Sequence, residues 1–139
     1  MQKNKTQIAI QQLEDAIELF LDKQSYESTT TLAGAAEEIL GKELVAQEKT
    51  NVLEWQWTMQ ETIHRLFDDG LDNKKDFNDE SNRVKNALKH YTEDNLSPED
   101  LMEGAIKMII RANENAARLN IKVKRIEEFE EWFLRNVIG

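Results

Sequence analysis

Apolar residues recur with a helical period along most of this chain. In the first segment they stand three or four residues apart, at Ile10, Leu13, Ile17, Phe20 and Leu21. Acidic residues fill the positions between them, so one side of the segment is apolar and the other is charged. This pattern predicts a helix over about residues 5–23 that packs against a neighbouring element.

A second helix is predicted after a short polar stretch. Residues 25–31 are rich in Ser and Thr, which favours a connection, and the helical spacing resumes from Leu32 to Leu44. A short connection favours an antiparallel hairpin of the two helices. Within the second helix, the small side chains of residues 32–36 predict a packing seam where a neighbour approaches closely.

Further helices follow in the second half of the chain. The pattern predicts one over residues 52–67, with Leu53, Trp57, Ile63, Leu66 and Phe67 on its apolar side. A polar segment through Asp79 separates it from a fourth helix, whose apolar residues are Val84, Ala87, Leu88 and Tyr91.

The clearest helix boundary is Ser97-Pro98-Glu99-Asp100, because Ser caps free amides, Pro suits the first helical position and early acids complement the helix dipole.

A final helix contains Ile126, Phe129, Phe133 and Val137. With one Pro, five Gly and no strand pattern, the sequence predicts an all-α, antiparallel helical bundle of about five to six helices, forming one domain over residues 1–139.

Composition narrows the classes of function. No Cys is present, so disulfides and thiolate metal sites are excluded, and we expect a cytoplasmic protein. The longest apolar runs are far shorter than the roughly 20 residues that a membrane span needs. A net charge of -9 argues against a broad nucleic-acid surface but allows a small basic patch. Two such patches are visible, the run 83–90 and the group Arg118, Lys122, Lys124 and Arg125.

The run 83–90 is the strongest candidate site. Arg83 and His90 are seven residues apart and nearly eclipse one another on a helix, with Asn86 between them. We expect them at the edge of the apolar stripe, where the pKa of a histidine is easily tuned. Lys85 and Lys89 are expected to point towards water or a partner chain. The alternative is a solvated, charge-balanced helix surface, since acidic residues flank the run on both sides.

This run resembles the motif of the HEPN superfamily of helical bundles, an arginine followed by a polar residue and, four to six positions after the arginine, a histidine. Residues 85–90, Lys-Asn-Ala-Leu-Lys-His, are similar to the family pattern arginine-asparagine-x-x-x-histidine, and Arg83 gives a longer spacing to His90. Residues 32–41, Leu-Ala-Gly-Ala-Ala-Glu-Glu-Ile-Leu-Gly, resemble the second helix of small bacterial HEPN-like proteins. The likeness in helix order covers most of the chain.

The resemblance implies a homodimer in which two motifs meet and contact RNA. In active members of the family the histidine handles protons and the arginine stabilises the phosphorane without metal, so His90 and Arg83 would be the catalytic pair. Lys85 departs from the pattern, because lysine lacks the planar fork of arginine.

Three functions stay open. The first is a binding or interaction module contacting RNA or a nucleotide through Arg83, Lys85, Asn86, Lys89 and His90. The second is a metal-independent ribonuclease of toxin type, and the third is a structural adaptor for a protein partner.

Other signals are weaker. Glu61 and His64 have the spacing of a di-iron pair, but a second such pair is required and the residue three before His90 is Ala87. We therefore expect no metal and no cofactor, and a surface or edge histidine at position 64. Trp57 is predicted on the apolar side of its helix, and Trp132 at a subunit interface.

Overall fold

The computed structural model describes residues 2–67, 73–89 and 95–139. Over these ranges the chain forms seven helices and no strand. The helices are α1 Lys5–Lys23, α2 Tyr26–Ala46, α3 Val52–Phe67, α4 Lys74–Ser81, α5 Arg83–Lys89, α6 Pro98–Arg118 and α7 Ile126–Phe133, which runs into one π-helical turn, Leu134–Ile138. The all-α prediction is confirmed, with more helices than the five to six expected.

The hydrophobic core lies between α1, α2, α6 and α7. Alanines at the contacts, such as Ala16, Ala36 and Ala112, let these helices approach closely. At one end, the ring of Phe20 packs edge-on against Phe129 at 5.4 Å and against Trp132 at 4.7 Å. Trp132, expected at a subunit interface, therefore contacts the core of its own chain.

The predicted connection over residues 25–31 is wrong, because α2 already begins at Tyr26. The hydroxyl of Thr29 donates to the Ser25 carbonyl at 2.8 Å, and that of Thr30 to the Tyr26 carbonyl at 2.9 Å. Both threonines are buried. Back-bonding to the preceding turn satisfies their polar groups, so a polar sequence can form a buried first helical turn.

The polar segment through Asp79, expected only to separate two helices, itself contains a helix. Residues 68–72 lie outside the described ranges, but α4 occupies Lys74–Ser81. Its first turn is capped by Asn73, whose side chain accepts a hydrogen bond from the Asp76 amide at 2.8 Å. A break at Asn82 separates it from α5.

The start of α6 is confirmed. The Ser97 hydroxyl accepts from the Asp100 amide at 3.0 Å, and the Asp100 carboxylate accepts from the Ser97 amide at 3.1 Å. This reciprocal capping box, with Pro98 in the first turn, fixes the boundary that the sequence indicated. In the described part of the chain no helix is both long and apolar enough to cross a membrane.

The apolar side of α3 is less buried than predicted. Val52 is buried, and the rings of Trp57 and Phe77 lie 5.5 Å apart. Ile63 and Leu66, expected to face the core, are exposed. The contacts of α3 with the rest of the chain are mainly with α6 and α4, so much of its apolar surface faces outwards.

Gly104 offers a test of the packing between α5 and α6. A Cβ added there would lie 2.5 Å from Val84 Cγ1 and 2.7 Å from Val84 Cβ, whereas one at Gly41 would meet its nearest atom at 3.5 Å. We expect Gly104→Ala to lower the free energy of unfolding by about 1–3 kcal/mol through overpacking. Gly41→Ala should cause no loss, because alanine favours a helix interior. Urea denaturation of both variants measures this, and equal stability would contradict the close contact.

Candidate functional site

Three charged side chains from three helices meet in the interior. Glu37 of α2, Lys85 of α5 and Arg111 of α6 are each at least nine-tenths buried. Arg111 Nη2 donates to Glu37 Oε1 at 2.7 Å, and Lys85 Nζ lies 3.9 Å from Glu37 Oε2. The carboxylate of Glu37 therefore stands between two cations, and we call these three residues the buried ion network.

Arg111 also fixes the junction between α4 and α5. Its Nη1 donates to the carbonyl of Ser81 at 3.0 Å and to Asn82 Oδ1 at 2.9 Å. These bonds satisfy backbone and side-chain groups at the break between the two short helices. The Nε of Arg111 is buried and has no hydrogen-bond partner.

Asn115, fully buried one turn after Arg111, ties α3 to the network. Its Nδ2 donates to the Glu37 carbonyl at 3.2 Å, and its Oδ1 accepts from the Val52 amide at 3.0 Å. Val52 is the first residue of α3, so its amide has no acceptor within the helix. One asparagine thus joins α2, α3 and α6.

The prediction that Lys85 points towards water or a partner chain is wrong. Its aliphatic chain crosses Gly34 of α2, where an added Cβ would lie 2.5 Å from Lys85 Cδ. The small residues that predicted a packing seam therefore make room, in part, for the side chain of Lys85. At its end, Nζ donates to Glu38 Oε1 at 3.0 Å.

Glu38 occupies the rim of the network and is half-exposed. Its partial burial acts to raise the pKa of its carboxyl. The hydrogen bond and the charge of Lys85, with Lys89 and Lys42 nearby, outweigh that effect and hold the pKa below its ordinary value. Glu38 is therefore the ionised counter-charge at the surface end of Lys85.

A cleft of about 290 Å³ opens beside the network. Its lining combines the network with side chains from α2 and α3 and from the α4–α5 break: Glu37, Glu38, Gly41, Lys42, Val45, Asn51, Leu53, Asn82, Lys85 and Arg111. A smaller hollow of about 150 Å³ lies along the Gly34 side of Lys85, with Lys89 and Glu38 in its wall. Lys85 and Glu38 line both spaces, so the two are neighbours.

The residues that the sequence grouped as one site have different partners in the structure, although Arg83 and Lys85 share the lining of one small hollow. Arg83 Nη2 donates to Asp100 Oδ1 at 2.8 Å, at the start of α6, away from the cleft lining. The Ser97 amide and then Arg83 lower the pKa of the Asp100 carboxyl. Asn86 is half-buried, and Lys89 is exposed as expected. His90 lies outside the described residues, so its stacking on Arg83 stays a prediction.

Arg83 of the first basic patch and Arg118 of the second lie far apart. Arg83 pairs with Asp100, whereas Arg118 lies 18 residues further along α6, about 27 Å at the rise of an α-helix. Arg118 donates to the Thr50 carbonyl at 2.9 Å and lies over the ring of Trp55. Acidic partners neutralise the rest of this patch in part: Lys122 pairs with Glu127, and Arg125 with Asp22 and Glu128.

His64 is half-buried, and its Nδ1 has no hydrogen-bond partner. Across residues 2–67, 73–89 and 95–139, no group of three or more His, Asp or Glu side chains is arranged to hold a metal ion.

Sequence reasoning missed Glu37, Arg111 and Asn115. A signal was present, because Glu37 continues the spacing of the buried residues Ala33, Leu40 and Leu44 on α2. Arg111 and Asn115 likewise stand next to Ala112 and Ala116 on the core side of α6. A charged residue on an apolar stripe must find a buried partner, and two such residues on different helices indicate a pair.

Comparison with known proteins gives no relative: the chain matches no family model, and no curated protein or solved structure is similar to it at a significant level. Buried cations beside an open cleft can bind an anionic group, while the carboxylate and amide groups of its wall can accept or donate hydrogen bonds.

Loss of the central carboxylate should be costly. Glu37→Ala leaves Arg111 and Lys85 buried without their shared partner, and we expect the free energy of unfolding to fall by about 3–5 kcal/mol. Glu103→Ala is the matched control, because its ion pair with Lys107 is exposed and contributes only about 0–1 kcal/mol. Chemical denaturation compares the two. Similar small losses would show that the network is hydrated rather than buried.

Acid should weaken the contact between Glu38 and Lys85. Because the folded pKa of Glu38 is lowered, its contribution to stability is complete above the ordinary glutamate pKa of about 4.3 and is lost as the pH falls through that value and the folded pKa. The stability difference between the wild type and Glu38→Gln should therefore be largest near neutral pH and shrink towards pH 3. Urea titrations across that range measure it, and a difference independent of pH would argue against the ion pair.

Proposed function

We propose that this protein is a binding module, an antiparallel HEPN-like bundle whose ligand is a nucleotide or short single-stranded RNA held in the cleft between α2, α3 and α5. The observation that carries the proposal is the cleft itself, whose wall contains Glu37, Lys85 and Arg111 as buried charged groups. The proposed site includes Lys85 and adjoins Lys89, but it lies on the inner side of α5 rather than on its outer edge.

Buried charges beside a cleft favour a ligand-binding role. Replacing a buried ion pair by apolar residues of similar volume is often neutral or stabilising, so stability alone is a weak reason for this network. Concave sites with a few convergent polar groups are where proteins bind small ligands.

The chemistry around the cleft suits a phosphate joined to a base. Lys42 in the cleft wall and Lys89 beside it are exposed cations, with the Lys85 ammonium between α2 and α5. Ammonium groups bind phosphate as point charges. Asn51, Asn82 and Glu38 offer amide and carboxylate groups, which read base edges in unpaired RNA. A net charge of -9 favours a short ligand over a long polyanion.

The alternatives depend on other residues. A ribonuclease would need His90 and Arg83 to act together, and two copies to bring their motifs into one site. Cleavage of RNA in the presence of a chelator, lost in His90→Ala, would favour the ribonuclease. Cytoplasmic location and the adaptor role also stay proposals drawn from the sequence.

Binding can be tested with a labelled single-stranded RNA of about ten nucleotides and with a labelled nucleotide, by fluorescence anisotropy at low salt. We expect the double variant Lys42→Glu with Lys89→Glu to bind at least ten-fold more weakly than the wild type. Lys122→Glu with Lys124→Glu is the matched control, since it makes the same change in net charge at a distant surface. The plot of log affinity against log salt concentration should become shallower, its slope losing roughly one in magnitude for each phosphate that the variant no longer neutralises.

The outcomes separate the hypotheses. Equal weakening in both double variants would indicate a general charge effect and would reject the cleft. Weakening only in Arg83→Ala or His90→Ala would move the site to the outer edge of α5. If the wild type binds neither ligand at low salt, the nucleotide and RNA proposal is wrong.

A further inference from the structure

A row of large apolar side chains is exposed along α3. Trp55, Met59, Ile63 and Leu66 keep 46%, 43%, 47% and 75% of their surface accessible. Steps of four, four and three residues place them on one face, over a length of about 16 Å. We call these four residues the α3 row.

The row is exposed because α3 contacts its own chain mainly through other residues. Trp55 is the exception, since the guanidinium of Arg118 lies 5.6 Å from its ring centroid. Val52 is buried at its start, Leu53 lines the cleft, and Trp57 packs against Phe77. Most of the stability of a helix in a protein comes from burying its apolar face. An amphipathic helix whose widest apolar stripe faces water is thus typical of an interaction surface.

We propose that a second copy of this chain covers the α3 row, with the two α3 helices packed antiparallel about a two-fold axis near Met59. The row is nearly symmetric about that residue, since Trp55 and Ile63 each lie four residues away. In an antiparallel pair Trp55 of one protomer would then face Ile63 of the other, while the two Met59 side chains meet. Such self-complementarity is what a two-fold interface requires.

The charges along α3 fit the same arrangement. Glu54 near the start and Arg65 near the end lie on the same flank of the row, about 20° apart around the helix. Both side chains are substantially exposed, with ion-pair partners Lys74 and Glu61 on their own chain. Antiparallel packing sets Glu54 of one protomer beside Arg65 of the other and aligns the helix dipoles favourably.

The overall charge opposes contact between two copies except at a surface without excess negative charge. The chain carries a net charge of -9, so contact between two copies is repulsive on acidic faces. The α3 row itself is uncharged, and its flank carries both signs. The contact of one helix pair is smaller than the roughly 800 Å² per partner of a standard interface, so the dimer should be weak and reversible.

The proposed interface is separate from the cleft. Leu53, which lines the cleft, lies six residues from Met59 and hence about 120° around the helix. Dimer formation would leave the cleft open. Failure of this proposal therefore says nothing about ligand binding, and the reverse also holds.

Sedimentation velocity over a wide range of protein concentrations tests the interface. We expect a reversible monomer–dimer equilibrium for the wild type, and a loss of affinity of at least ten-fold in Met59→Glu, which would bring two like charges together near the axis. Ile8→Glu, an equally exposed apolar position on α1, is the control and should dimerise as the wild type does. A wild type that is monomeric throughout, or a dimer that Met59→Glu leaves intact, overturns the proposal.

The absence of Cys from the chain allows a second measurement. Met59→Cys should form a disulfide-linked dimer under mild oxidation much faster than Ile8→Cys, because only the first places two thiols near a shared axis. Circular dichroism checks that each variant is folded. Equal rates of cross-linking for the two variants would reject the two-fold arrangement.

Discussion

The carboxylate of Glu37 is the group on which the arrangement of helices around the site depends. It is buried between the guanidinium of Arg111 and the ammonium of Lys85, so α2, α5 and α6 are held at the distances that these contacts allow. A buried charge without a partner costs on the order of several kcal/mol, because the charged group loses its hydration. Glu37 and Arg111 therefore require one another, and packings of α5 that would bury Lys85 away from Glu37 and Glu38 are disfavoured.

The same interaction organises the elements further out. Arg111 also binds the break between α4 and α5, and Asn115 binds the first amide of α3, so both short helices and the start of α3 are positioned from α6. α3 is held mainly at its start, by a buried Val52 and a cap from Asn115. Further along the helix, the face with Met59, Ile63 and Leu66 stays exposed, which is why it is the surface we propose for a second copy.

The network also explains why charged groups line the cleft. A helix interface filled by apolar side chains would close, whereas the small residues Gly34 and Gly41 leave room for Lys85 and for the cleft beside it. Lys85 is held in place by Glu38 at the surface end, so an anionic ligand entering the cleft would meet a fixed cation whose charge Glu38 and Glu37 partly offset. Preorganised charge of this kind favours binding, because little side-chain entropy is lost when the ligand arrives.

Local sequence determined the helices whose signals are local. The extent of α1 follows from its apolar spacing, and the start of α6 follows from Ser97, Pro98 and Asp100, since capping involves only residues of one turn. The same reasoning missed the first turn of α2, because the hydroxyls of Thr29 and Thr30 compete for the backbone in a loop yet also satisfy it in a helix.

The site was decided by tertiary structure. Lys85 and Arg83 look alike in a basic run, but Gly34 admits Lys85 to the interior while Asp100 holds Arg83 at the start of α6. Glu37 and Arg111 are 74 residues apart, and nothing local pairs them. Sequence periodicity shows which face of a helix is buried, but the identity of the group across the interface depends on how the helices pack, and that is set by the whole chain.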